Sequence, residues 1–116
     1  MKILIVEDEV IIARATKLQL EQSGHNVIGL AKNEETCLSL ITKDLELILM
    51  DIKLGNNCNG ISIAKKLRSQ GVTIPILFTT GNSKVFTENE TAEIKNCDIL
   101  NKPIDFSELL NKIGTY

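Results

Sequence analysis

Short, near-continuous apolar runs that alternate with stretches of helical spacing constrain this chain more than anything else in it. The runs cover residues 3–6 (ILIV), 27–31 (VIGLA), 47–50 (LILM), 74–78 (IPILF) and 99–100 (IL). Between them lie segments that read as helices. The first carries Ile11, Ala15 and Leu18 on one expected inward face and ends at Gly24. The second is capped by Asn33 and runs through Glu34, Glu35, Leu38 and Ile41, with its acids at the positive end of the helix dipole. The third presents Ile63, Ala64 and Leu67 and stops at Gly71. The fourth, 83–95, is polar and rich in β-branched residues, a weak helix whose Phe86 and Ile94 are expected to pack inward. The last starts at Asp105, with Glu108 three residues on as in a capping box, and carries Leu109, Leu110 and Ile113 up to Gly114. Strands alternating with helices imply right-handed βαβ units and a parallel sheet covered on both faces. Apolar runs without alternation suit strands buried on both sides. Five such units are too few for an eight-stranded barrel. The expected fold is a doubly wound five-stranded α/β sandwich, formed as one domain over 1–116, because no linker, repeat or low-complexity tract divides the chain.

Composition narrows the function. Thirteen Lys and Arg against 15 Asp and Glu leave a net charge of −2, without the basic face of a nucleic-acid binder. Trp is absent and aromatics make up 3%, too few for a base-stacking platform. No apolar run approaches the ~20 residues of a membrane span. The start, MKILIVEDE, is a strand followed by acids and not a signal peptide, so the protein is expected in the cytoplasm. Cys37, Cys58 and Cys97 lack the spacing of a disulfide framework or zinc site and read as reduced thiols. The single His25, in a turn, rules out multi-histidine metal ligation.

In a parallel sheet all strand C-termini share one edge, and ligands bind there. Four runs end there in groups that do chemistry: Glu7 and Asp8, Asp51, Thr80, and Lys102. Clustered carboxylates repel and raise one another's pKa unless a cation neutralises them. Oxygen-only ligands select a hard ion, Mg²⁺ or Mn²⁺. Carboxylates, such an ion and a lysine form a constellation for phosphoryl transfer. The turn after the first run is Glu-Asp-Glu, and no G-x-G-x-x-G or P-loop occurs, so dinucleotide and P-loop nucleotide binding lose their support.

These fragments, ILIVEDE, LILMDIKL, IPILFTTG and ILNKP, occur in that order over residues 1–113. Together they resemble the receiver domains of two-component response regulators. The resemblance places the family's acidic pair on Glu7 and Asp8 and its phosphoacceptor on Asp51. The switch hydroxyl falls on Thr80, followed by Gly81, and the lysine on Lys102, before Pro103. It also implies the flavodoxin-like strand order 2-1-3-4-5 and a cis Lys102–Pro103 bond. Asp8, Asp51 and the Lys53 carbonyl would hold Mg²⁺, with Glu7 acting through water. Asp51 would take a phosphoryl group from a phosphohistidine on a sensor histidine kinase or phosphotransfer protein. Lys102, the Gly81 N–H and an inward-moving Thr80 would hold that group, and the shifted surface would be read by a downstream protein or output domain. Such a domain is a signalling element, with only self-phosphorylation and slow self-dephosphorylation as its chemistry. Dimerisation through the strand-five face is a habit of the family.

The chain also departs from the family's pattern. Ile99 stands where a switch aromatic is usual, so a ring gating in and out cannot operate. Gly55 replaces the usual proline, and the loop to Gly60 is one residue longer, which predicts greater mobility. Glu7 replaces a more frequent Asp. Lys53 and Asn82 occupy positions that tune phosphoryl lifetime in the family, and Lys53 is expected to slow loss of the group. Two alternatives stay open. One is an interaction module of the same fold working without phosphorylation, which Ile99 favours. The other is a Mg²⁺-dependent aspartate-nucleophile phosphatase, disfavoured because its second Asp would fall at Lys53.

Overall fold

The computed structural model of the chain describes residues 1–55 and 57–116. The strands are β1 (Lys2–Val6), β2 (Asn26–Ala31), β3 (Leu47–Asp51), β4 (Ile76–Thr80) and β5 (Cys97–Asn101). The helices are α1 (Val10–Gln22), α2 (Glu34–Ser39), α3 (Gly60–Ser69), α4 (Lys84–Thr91) and α5 (Phe106–Ile113). All strand pairings are parallel, in the order β2-β1-β3-β4-β5. This is the doubly wound sheet and the strand order expected.

Every residue of β3 and β4 is buried, which is why those runs lack alternation. Successive side chains still point to opposite faces. Leu4, Val6, Ile48, Met50 and Phe78 join Ile63 and Leu67 of α3 in one core. Ile3, Ile5, Leu49 and Leu77 join Leu20 of α1 and Leu109 of α5 in the other. Each such aliphatic side chain contributes about 1.5–3 kcal/mol by leaving water. No helix among the described residues is long and apolar enough to cross a membrane.

Local polar bonds set the helix starts. Asn33 Oδ1 accepts from the Thr36 N–H at 2.9 Å, and Thr36 Oγ1 accepts in return from the Asn33 N–H at 3.3 Å. Asp105 Oδ1 accepts from the Glu108 N–H at 3.2 Å. At the end of α3, the Arg68 guanidinium donates to the carbonyls of Lys95, Val72, Ile74 and Asn96 at 2.9, 3.0, 2.9 and 3.1 Å. It fastens the chain entering β4 and β5, at the sheet edge opposite the strand C-termini.

Three expectations are corrected. In α1, Ile11 (85% exposed), Ala15 and Leu18 face outward, while Ala13 and Leu20 are buried. Apolar residues surround the first turns of this helix, so spacing alone could not choose its face. Phe86 is exposed, not packed, whereas Ile94 is buried as expected. Ser83 caps α4 through the Phe86 N–H, and the phase so set turns Thr87 and Thr91 inward. Finally, β4 begins at Ile76 and not at 74, because Pro75 has no N–H to give to a ladder.

Candidate functional site

The C-terminal ends of β1, β3, β4 and β5 bring the expected residues together. Asp51 is the last residue of β3 and Thr80 the last of β4, and both are buried. Glu7 follows β1 directly and is buried, with Asp8 half-buried beside it. Lys102 follows β5, next to a cis bond to Pro103, as the resemblance implies. An open cleft of about 560 Å³ is lined by Asp8, Asp51, Lys53, Thr80, Asn82 and Lys102, among others.

Lys102 is the cation of the cluster. Its Nζ donates to Asp51 Oδ2 at 3.0 Å and lies 3.6 Å from Glu7 Oε1. Burial works to lower its pKa, but the hydrogen bond and charge of Asp51, with Glu7 behind them, outweigh burial and raise it. Glu7 is pushed up to about 7, first by burial and then by its hydrogen bond to Asp51 and the charge there; Lys102 opposes this only in part. Glu7, Asp8 and Asp51 each offer an oxygen within 4.8 Å of the other two. Three carboxylates facing one ammonium, with neither sulfur nor imidazole among them, make a donor set that fits a hard divalent cation.

Thr80 Oγ1 accepts from the Asn82 N–H at 3.1 Å, closing a turn over Gly81. Two further bonds tie this turn to β5. The Lys102 N–H donates to the Thr80 carbonyl at 2.7 Å, and Asn101 Nδ2 donates to the Asn82 carbonyl at 2.6 Å. Ile99, opposite Phe78 on β4, is a buried core residue.

After β3 the chain makes a small hairpin. Lys53, with its side chain exposed, forms an antiparallel bridge with Asn59. Asn56 lies outside the described residues, and with it part of the expectation of a mobile 55–60 loop. Gly60 opens α3 against the end of β3, where a Cβ would clash with the Asp51 carbonyl oxygen. In the sequence this glycine stands only as the end of a polar loop. Its role follows from a close approach that no local pattern announces.

Residues 3–114 match the family described as the response regulator receiver domain. Among curated relatives, the transcriptional regulatory protein DltR of Streptococcus agalactiae is 31% identical over 113 residues, covering 97% of this chain and 50% of that protein. The alkaline phosphatase synthesis transcriptional regulatory protein PhoP of Bacillus subtilis is 33% identical, covering 93% and 45%. The chain thus spans about half the length of these relatives. A crystal structure of a CheY-like response regulator receiver domain protein from Methanospirillum hungatei superposes with a TM-score of 0.84 at 27% identity, covering 98% of this chain and 90% of that one. With the fold, the acidic edge and the family match in agreement, the chain belongs to the receiver domains of two-component response regulators.

Proposed function

We propose that the chain is a phosphoacceptor: Asp51 takes a phosphoryl group from a partner's phosphohistidine, and the change is relayed through Thr80. The observation that supports this most is the convergence of Asp51, Lys102 and Thr80 in one cleft, with Glu7 and Asp8 beside them. Glu7, Asp8 and Asp51, together with the Lys53 carbonyl, would hold Mg²⁺ or Mn²⁺, which supplies positive charge against the carboxylates and the phosphoryl oxygens.

An Asp51 carboxylate oxygen attacks phosphorus, the P–N bond breaks, and its electron pair returns to the imidazole. Lys102, already 3.0 Å from Asp51, is placed to neutralise charge on the arriving group. The Thr80 hydroxyl receives a hydrogen bond from the Asn82 N–H, so its own proton is left to donate to a phosphoryl oxygen. The Gly81 N–H supplies a second donor. The donor protein would dock on the neighbouring groove of about 350 Å³ between α1 and α5, whose walls include Ile11, Ile12, Pro103, Ile104 and Phe106 and which reaches Lys102. Exposed Val10, Ile11 and Leu18 extend that apolar face along α1.

The test is a small acyl phosphate with Mg²⁺, followed by intact mass. One added phosphoryl group is expected, absent in Asp51→Asn and slowed at least tenfold in Lys102→Ala, the loss of about 1.4 kcal/mol of transition-state stabilisation. A second reading, an interaction module independent of phosphorylation, draws on the burial of Ile99. It gains if no Asp51-dependent mass appears.

A further inference from the structure

Asp8 is held differently from the two carboxylates beside it. Glu7 and Asp51 are buried and share Lys102, whereas Asp8 is half-buried at the cleft wall. On its outer side it meets backbone. Gly55 has φ +63, and a Cβ there would lie 2.9 Å from Asp8 Oδ2 and 4.0 Å from its Cγ. The carboxylate therefore rests against a bare Cα.

Gly55 is not free to withdraw. Before it, Leu54 is 3% exposed in the core. The Leu54 N–H donates to the Cys58 carbonyl at 3.1 Å, and the Cys58 N–H donates back to the Gly55 carbonyl at 2.7 Å. The Lys53–Asn59 bridge closes the hairpin behind these bonds. The return strand is fixed in turn on the acceptor strand, because the Gly60 N–H donates to the Ile52 carbonyl at 2.7 Å. Asp8 thus stands between this hairpin and two carboxylates whose oxygens lie within 4.8 Å of its own.

We propose that Gly55 is a positioning residue for Asp8: its missing side chain sets how far Asp8 stands from Asp51, and so sets the affinity of the oxygen site for a divalent cation. This rests on the reading of Asp8 as a cation ligand. Two physical reasons for glycine have to be separated, the left-handed backbone and the absent Cβ. Asn adopts positive φ at little cost but carries a Cβ, so Gly55→Asn preserves the backbone and restores the clash. Asn57, with φ 61 in the same hairpin, supplies the opposite control. Asn57→Ala strains the backbone without adding an atom toward Asp8.

Mg²⁺ binding is measured by calorimetric titration, and thermal melting is measured in EDTA. Gly55→Asn and Gly55→Ala are both expected to weaken Mg²⁺ at least tenfold, with the EDTA melting temperature of Gly55→Asn near that of the parent. Asn57→Ala is expected to melt lower in EDTA yet bind Mg²⁺ within twofold of the parent. Parental affinity in Gly55→Asn would overturn the proposal, leaving glycine needed for its backbone alone. An equal loss in Asn57→Ala would overturn it too, by making hairpin integrity the cause. A parent chain that binds no Mg²⁺ would remove the cation reading and this inference together, an outcome distinct from either of those.

Discussion

Glu7 carries the least comfortable charge in the molecule. Burial and Asp51 both oppose its ionisation and push it up to about 7 from an ordinary value of 4.5. At Glu7 the folded chain therefore keeps a proton that the unfolded chain has released between those two values, so this group's contribution to stability falls as pH rises through that window. His25, whose pKa burial lowers from 6.5, works in the opposite sense near the window's upper end. In EDTA, the melting temperature is expected to drop from pH 4.5 to above 7, and Glu7→Gln should flatten the slope. Mg²⁺ favours the ionised carboxylates, so it should raise the melting temperature more at pH 8 than at pH 5, with a proton released on binding near neutrality. An EDTA slope that Glu7→Gln leaves unchanged would contradict the account. That Glu7, Asp8, Asp51, Thr80 and Lys102 would meet was legible in the chain, because each follows or ends a recognisable strand. The raised pKa of Glu7 was not, since it depends on burial and on a neighbour 44 residues away, distances that no local pattern encodes.

Among the elements, α1 shows where periodicity fails. Val10, Ile11, Ile12, Ala13, Ala15, Leu18 and Leu20 give the helix apolar residues in more than one direction. Only a narrow stripe through Ala13 and Leu20 meets the sheet. Leu20 is fully buried and Leu18 is 58% exposed, so two leucines two residues apart should behave oppositely. Leu20→Ala is expected to cost about 2–5 kcal/mol in a urea melt, and Leu18→Ala no more than about 0.5 kcal/mol. Similar costs at both would restore the face expected from spacing. The surplus apolar surface on α1 has a physical sense if a partner covers it, since a helix serving two interfaces cannot be amphipathic toward one. In α4 the reverse holds. The inward stripe is Thr87 and Thr91, and the exposed residues include Val85 and Phe86, so hydrophobicity pointed the wrong way and capping by Ser83 was the better guide.

At the scale of the whole molecule, the parallel sheet separates stability from chemistry. One edge gathers Glu7, Asp8, Asp51 and Lys102; the other is bound together by Arg68. Five-residue strands put roughly 17 Å between the two edges. Arg68→Ala removes a hydrogen bond from each of four carbonyls, two of them at exposed bonds and one, that of Asn96, still accepting from the Ile76 N–H, and is expected to cost about 2–3 kcal/mol. Its effect in EDTA should add to that of Asp8→Asn within about 0.5 kcal/mol. A larger coupling would show that the sheet transmits strain end to end. The doubly wound fold was legible as a whole because alternation and strand burial are global properties, whereas helix ends and faces are settled by single caps and contacts.

The bond from Asn101 Nδ2 to the carbonyl of residue 82 has one more consequence. It grips main chain, so it asks nothing of the side chain at 82, although that side chain lines the cleft. Position 82 is therefore an exchangeable part. Substitutions there would reshape the cleft wall while the loop stays moored to β5 throughout.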